Sequence, residues 1–254
     1  MRRQPDPRLS VLPERLGRVG KVVVFTSSKG GVGKTLLSVT TSLVLSRKGV
    51  GVGLLDIDVT NPTAHIALGV DPSSVRPVEE KGVVPPEVSG VKFMSPVFFT
   101  ADRPAALRGE NISSAIREII SITRWPGVDV LIVDTPPGMS DELLELITNI
   151  RRFSALVVTT PSVLSLRSAI KLVDLIGPNV SGVVVNMAPD RNMGKMLQAV
   201  KELNLPVYLL PYDPIVEQAI GNPQKILTTE LAREVDRQIT NTIINSLQSR
   251  KLSY

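Results

Sequence analysis

The sequence has no cysteine. That absence excludes disulfides and thiolate metal sites. It has one histidine, His65, and a single imidazole cannot build a metal cluster; a helix surface or loop is its expected place. Its one tryptophan, Trp125, precedes "PGVD", where it would pack a loop onto a sheet. No apolar run approaches the roughly 20 residues that span a bilayer. The first residues, "MRRQPDPRLSVLPERLG", are basic, but Pro5, Pro7, Pro13 and Glu14 break any apolar centre, so they do not read as a secretory signal. The expected compartment is the cytoplasm.

A strong charge imbalance is also lacking. Formal net charge is +5. The first twenty residues hold five arginines against Asp6 and Glu14, a net +3, which leaves +2 for the rest. A nucleic-acid-binding body would carry a denser basic face. Residues 1–20 are therefore expected to be a solvated, partly disordered basic arm, ahead of a domain over 21–254.

What is present is alternation. "KVVVFT", "VGVGLLD", "VKFMS", "VDVLIVD", "FSALVVTT", "VSGVVVNM" and "PVYLL" read as strands. Amphipathic stretches such as "NISSAIREIISI", "DELLELITNIRRF" and "LSLRSAIKLVDLIG" lie between them. Strands apolar nearly throughout are buried on both faces. Alternation with helices implies parallel βαβ units. The expectation is one doubly wound α/β domain, a mainly parallel sheet with helices on both faces. The Pro- and Val-rich stretch 71–89 reads as a surface excursion. Near the end, Leu231, Val235, Ile239, Ile243 and Leu247 recur every four residues, one face of a helix. Its polar face is not strongly basic, so packing on the sheet is favoured over a membrane anchor.

The chemistry sits in "KVVVFTSSKGGVGKT", a glycine-rich loop between a strand and a helix. The phosphate-loop pattern G-x-x-x-x-G-K-[ST] fits Gly33, Lys34 and Thr35. Its first glycine would fall at position 28, which is Ser28, and an additional cation, Lys29, follows. Gly30, Gly31 and Gly33 let backbone N–H groups converge on phosphate oxygens, and the helix N-terminus adds positive potential. Lys34 would reach the β- and γ-phosphates, and the Thr35 hydroxyl would ligate Mg²⁺. Asp134 ends the strand of "VDVLIVDTPPG", and the Gly138 N–H beyond it could sense a γ-phosphate. In "GLLDIDVTNPT", Asp58 lies on the loop past the strand, over the phosphates. For Asp56 a direct role and a bystander role stay equally open.

Together "KGGVGKT", "DID", "DTPPG" and "VVVNMAP" resemble the deviant Walker A ATPases of the MinD/ParA/Mrp group, closest to the Mrp/ApbC nucleotide-binding branch. In that branch segments like "DIDVTNP", "LRGENISSAIREII" and "DTPPGMSDE" follow in this order. The resemblance implies an ATPase that binds ATP or ADP with Mg²⁺ and closes as a homodimer on ATP. It makes Lys29 a signature lysine that reaches the nucleotide of the other subunit, as an arginine finger does in trans. It assigns catalysis to Lys29, Lys34 and Asp58. It assigns nucleotide binding to Lys29, Gly30, Gly31, Val32, Gly33, Lys34, Thr35 and Leu36, with Asn186 on the adenine edge and Pro211 and Asp213 near the base. The metal would be held by Thr35, Asp58 and Asp134. Arg108 is equally a dimer contact or a plain surface residue. Mrp-type carriers hold an iron–sulfur cluster through paired cysteines, which this chain lacks, so a thiolate-bound cluster is excluded.

The leading functional reading is an ATP-driven dimeric switch acting on an unidentified client protein. A second reading is a positioning ATPase that acts on membrane or DNA; the weak basic face disfavours those partners without excluding them. A third is a small-molecule ATP-dependent enzyme on the same fold, against which Lys29 counts. The methionines at 187, 193 and 196 could line a client groove or simply pack.

Overall fold

Runs of valine, leucine and isoleucine set the sheet, because β-branched side chains suit a pleated, buried surface. The computed structural model describes residues 6–100, 107–150, 152–189 and 198–251. Its strands are β1 (Lys21–Ser27), β2 (Val52–Asp56), β3 (Val78–Glu79), β4 (Val83–Val84), β5 (Glu87–Val88), β6 (Val91–Met94), β7 (Val130–Asp134), β8 (Ser154–Thr159), β9 (Val180–Ala188) and β10 (Val207–Pro211). The helices are α1 (Leu12–Leu16), α2 (Lys34–Arg47), α3 (Ala64–Leu68), α4 (Val97–Thr100), α5 (Glu110–Ile122), α6 (Asp141–Asn149) and α7 (Val163–Ile176). They continue with α8 (Gln198–Lys201), α9 (Val216–Ala219), α10 (Pro223–Ile226), α11 (Glu230–Val235) and α12 (Asn241–Lys251).

The main sheet has the order β10-β9-β8-β1-β7-β2-β6-β5. Its pairs are parallel except β5 with β6. β3 and β4 form a separate antiparallel pair within the expected surface excursion. Alternate residues of one strand serve opposite faces. Val22 and Val24 pack under α5, α6 and α7, whereas Val23 and Phe25 pack under α2, α3 and α11. This is the doubly wound arrangement that the alternation of strands and helices implies. β1 lies at the centre, and the direction in which strands are added reverses there. Such a switch point opens a crevice outside the carboxyl end of β1.

The C-terminal stripe packs inward, with Leu231, Val235, Ile239 and Ile243 at most 4% exposed. A strict four-residue interval drifts about 40° per step on a helix of 3.6 residues per turn. A π turn at Asp236–Thr240 joins α11 to α12 and takes up part of that drift. Among the described residues no helix is long and apolar enough to cross a membrane. Trp125 packs its ring against Gly53 of β2, where no side chain would fit.

Two expectations change. The part of the basic arm that the structure describes is not free in solvent. Residues 7–11 form a 3₁₀ turn, α1 follows, and Leu12 is buried in the core. Arg8 donates to the Ser114 carbonyl and hydroxyl, and Arg15 donates to the Ser121 carbonyl, so the arm is tied to α5. His65, expected on a surface, is buried within α3. Met193 and Met196 lie outside the described residues.

Candidate functional site

The loop between β1 and α2 lies at the crevice. Gly31 and Gly33 have φ of 75° and 81°, a region costly for residues with a Cβ. Gly33 caps α2, and a Cβ there would collide with the Asn186 amide. That amide donates to the Val32 carbonyl at 2.9 Å. β9 therefore buttresses the loop through the residue expected at the adenine edge. Val32 is buried, Leu36 is half-buried against the core, and Gly30 and Gly31 are exposed.

The two lysines have different surroundings. Lys34 is 7% exposed, and its Nζ lies 2.6 Å from Oδ1 of Asp134. Lys29 is exposed and forms no ion pair with another described residue. Asp134 is 2% exposed at the end of β7. Besides Lys34 it accepts from Thr35 Oγ1 at 2.7 Å on Oδ2, and from Ser38 Oγ at 2.9 Å on Oδ1. Thr35 and Asp134, both expected beside the metal, are thus brought together, and Lys34, expected on the phosphates, is paired with Asp134.

Asp56 pairs in register with Asp134 across β2 and β7. Burial first, and then the facing Asp134 carboxylate, push Asp56 up to about 8. Its Oδ1 accepts the Asp58 N–H at 3.0 Å, and its Oδ2 accepts the Ala64 N–H and the Ser95 hydroxyl, both at 3.3 Å. Asp56 therefore organises the loop that carries Asp58. Asp58 is half-buried, and its Oδ1 accepts from Thr60 Oγ1 and the Asn61 N–H.

Other expected residues have local tasks. The Gly138 N–H, read as a γ-phosphate sensor, donates instead to the Ser27 carbonyl at 2.7 Å. Asp213 accepts the N–H groups of Glu230 and Leu231 on Oδ2 and of Ile215 on Oδ1, so it caps the start of α11. Pro211 ends β10 opposite Ala188 of β9. Arg108 is exposed. Two contributors escaped sequence reasoning, Ser38 and the organising role of Asp56. Ser38 carried a signal, since four residues after Lys34 it shares a helix face with it.

The donor set suits a hard cation. Thr35 and Asp134 offer oxygen within one hydrogen-bonded group. Among the described residues no three His, Cys, Asp or Glu converge into a metal cage. Mg²⁺ fits such a sparse set, because it keeps waters and takes phosphate oxygens.

A family model for ParA, described as NUBPL iron-transfer P-loop NTPase, matches residues 18–197. An iron–sulfur cluster carrier protein of Synechocystis sp. is 35% identical over 222 residues, covering 79% of this chain and 63% of the relative. A cytosolic Fe–S cluster assembly factor Nubp2 homolog of Drosophila erecta is 31% identical, covering 94% of this chain and 100% of its own. The chain thus spans a little under two thirds of the first relative. Among solved structures, the nucleotide-binding protein of Archaeoglobus fulgidus in complex with ADP superposes with a TM-score of 0.70 at 24% identity, covering 86% of this chain and 92% of that one. The cell division ATPase MinD of Pyrococcus furiosus gives 0.59 at 20% identity, covering 86% and 99%. At those identities the structures speak for the fold, and they share the one described above. With the family model covering most of the chain, the protein belongs to the ParA-type family of NUBPL iron-transfer P-loop NTPases.

Proposed function

We propose that this chain is an Mg²⁺-dependent ATPase working as a homodimeric switch, in which ATP closes the dimer and slow hydrolysis reopens it. The observation that carries the reading is the contrast between its two loop lysines. Lys34 is buried on Asp134 beside Thr35, while Lys29 is exposed and unpaired among the described residues. One cation is arranged for its own nucleotide, and the other is available to a second copy.

On ATP binding Lys34 leaves Asp134 for the β- and γ-phosphates, and the loop amides from Gly30 to Thr35 take up phosphate oxygens. Thr35, Asp134 and Asp58 would hold Mg²⁺, which supplies positive charge against the phosphates when bound. Asp58 orients the water for in-line attack on the γ-phosphorus. Lys29 of the partner subunit neutralises charge that develops in the transition state. Asn186 faces the base, with Pro211 at the end of the neighbouring strand, while Asp213 is left to cap α11. The working domain is residues 21–254.

The relatives' names point to iron–sulfur cluster carriage, yet this chain offers no thiolate for a cluster. Its client is therefore proposed to be a separate protein bound by the ATP-closed form. The word cytosolic in the Drosophila relative's name supports a cytoplasmic location.

The test is light-scattering mass with ADP and with ATP–Mg²⁺, using Asp58→Ala to slow turnover. A dimer formed only with ATP, and weakened by Lys29→Ala, supports the switch. The same mass with both nucleotides removes the coupling between ATP and dimerisation.

A further inference from the structure

Asp134 receives three side-chain donors, and nucleotide binding claims two of them. Lys34 must turn to the phosphates. Thr35 must offer its oxygen to the metal. Only Ser38 has no competing task at the ligand. It is fully buried on α2, its Oγ 2.9 Å from Asp134 Oδ1 and 3.0 Å from the Lys34 carbonyl.

A serine hydroxyl carries one hydrogen, so it can donate to one of these oxygens at a time. While Lys34 occupies Oδ1, the Lys34 carbonyl is an adequate acceptor. Once the ammonium leaves, Oδ1 is a buried carboxylate oxygen without its cation, beside Asp56 on the next strand. An unmet buried charge is costly. Rotation of one hydroxyl then redirects its hydrogen to Oδ1, with no movement of backbone.

We propose that Ser38 is a positioning residue for Asp134, holding its carboxylate in the metal-facing orientation when Lys34 departs for the phosphates. The proposal rests on the ATPase reading above. One helical turn further on, Ser42 Oγ donates to the Ser38 backbone carbonyl at 2.8 Å. Among the described residues the side-chain donors to Asp134 are Lys34, Thr35 and Ser38, so Ser42 serves as the control.

The readout is the ratio of ADP affinity in Mg²⁺ to ADP affinity in EDTA, measured by calorimetry. ADP is used so that turnover does not enter. In Ser38→Ala the metal-dependent gain should shrink by about tenfold, the size expected of one hydrogen bond to a charged group. Affinity in EDTA should fall too, but by less, because Lys34 leaves Asp134 there as well while no metal depends on the carboxylate's orientation. Ser42→Ala should keep the full gain, and Ser38→Thr, which retains the hydroxyl, should recover it. Ser38→Cys is read in the same way should the alanine variant fail to fold. An unchanged ratio in Ser38→Ala overturns the proposal. So does an equal loss with and without metal, which would make Ser38 a part of loop architecture only. Wild-type protein that gains nothing from Mg²⁺ would overturn the ATPase reading as well, so the two failures are told apart.

Discussion

Asp56 and Asp134 stand opposite each other on neighbouring parallel strands, both essentially without solvent. Parallel partners in register project to the same face, so two carboxylates share one buried site at the carboxyl edge of the sheet. Lys34 neutralises one of them. The other, Asp56, is raised by burial and by its neighbour, and spends its oxygens on the loop leading to α3.

This arrangement sets a pH dependence of stability. In the unfolded chain Asp56 ionises near the usual carboxylate value of about 3.9. In the folded chain it keeps its proton to about 8. Between those values the folded state binds the additional proton, so stability falls as pH rises and levels off above the folded value. The total is on the order of a few kcal/mol. Urea midpoints between pH 5 and 8 should decline for wild type and stay flatter for Asp56→Asn. Parallel slopes for the two proteins would contradict the assignment.

Removing the cation should be worse than removing both charges. Lys34→Met leaves Asp134 buried beside Asp56 without compensation, at a cost of about 3 kcal/mol. Lys34→Met combined with Asp134→Asn should recover much of that loss. Denaturant midpoints of the two variants decide it, and a double variant no more stable than the single one would refute the argument. Nucleotide binding should be lost in both.

Much of this was legible in the sequence. The period of apolar runs gave the strand order's raw material, and strand–loop–helix context marked the phosphate loop. The meeting of Thr35 with Asp134 followed because each residue sits where an element begins or ends. What stayed hidden depends on packing between distant segments. Nothing near Gly138 foretells that its N–H meets the Ser27 carbonyl, since that bond arises from adjacent strand ends. The arm looked solvated because its arginines dominate the composition. Its fate is decided by Leu12 reaching the core and by Arg8 and Arg15 finding oxygens on α5.

Lys29 should matter for turnover and not for folding. Its side chain is exposed and forms no ion pair with another described residue. Lys29→Ala should therefore melt with the wild type, while its ATP turnover drops by about 10³, as for a finger supplied in trans. Mixing it with an Asp58→Ala chain is the sharper measurement. In a mixed dimer one site pairs an intact Asp58 with the partner's intact Lys29, and activity should partly return. No return at any mixing ratio would count against action across the interface.

Asp213 separates two explanations that coincide in sequence. As a residue near the base, its loss should weaken ADP binding. As the cap of α11, its loss should weaken the fold, because three backbone N–H groups lose their acceptor. The geometry favours the cap. Asp213→Ala should cost about 1–2 kcal/mol of stability, the range for losing a helix N-cap. Thr229 also bonds the Ala232 N–H, so the helix start keeps one anchor and the chain should still fold. ADP affinity measured well below the melting temperature should then match wild type. A variant of full stability with weakened ADP binding would reverse the assignment and return Asp213 to the nucleotide.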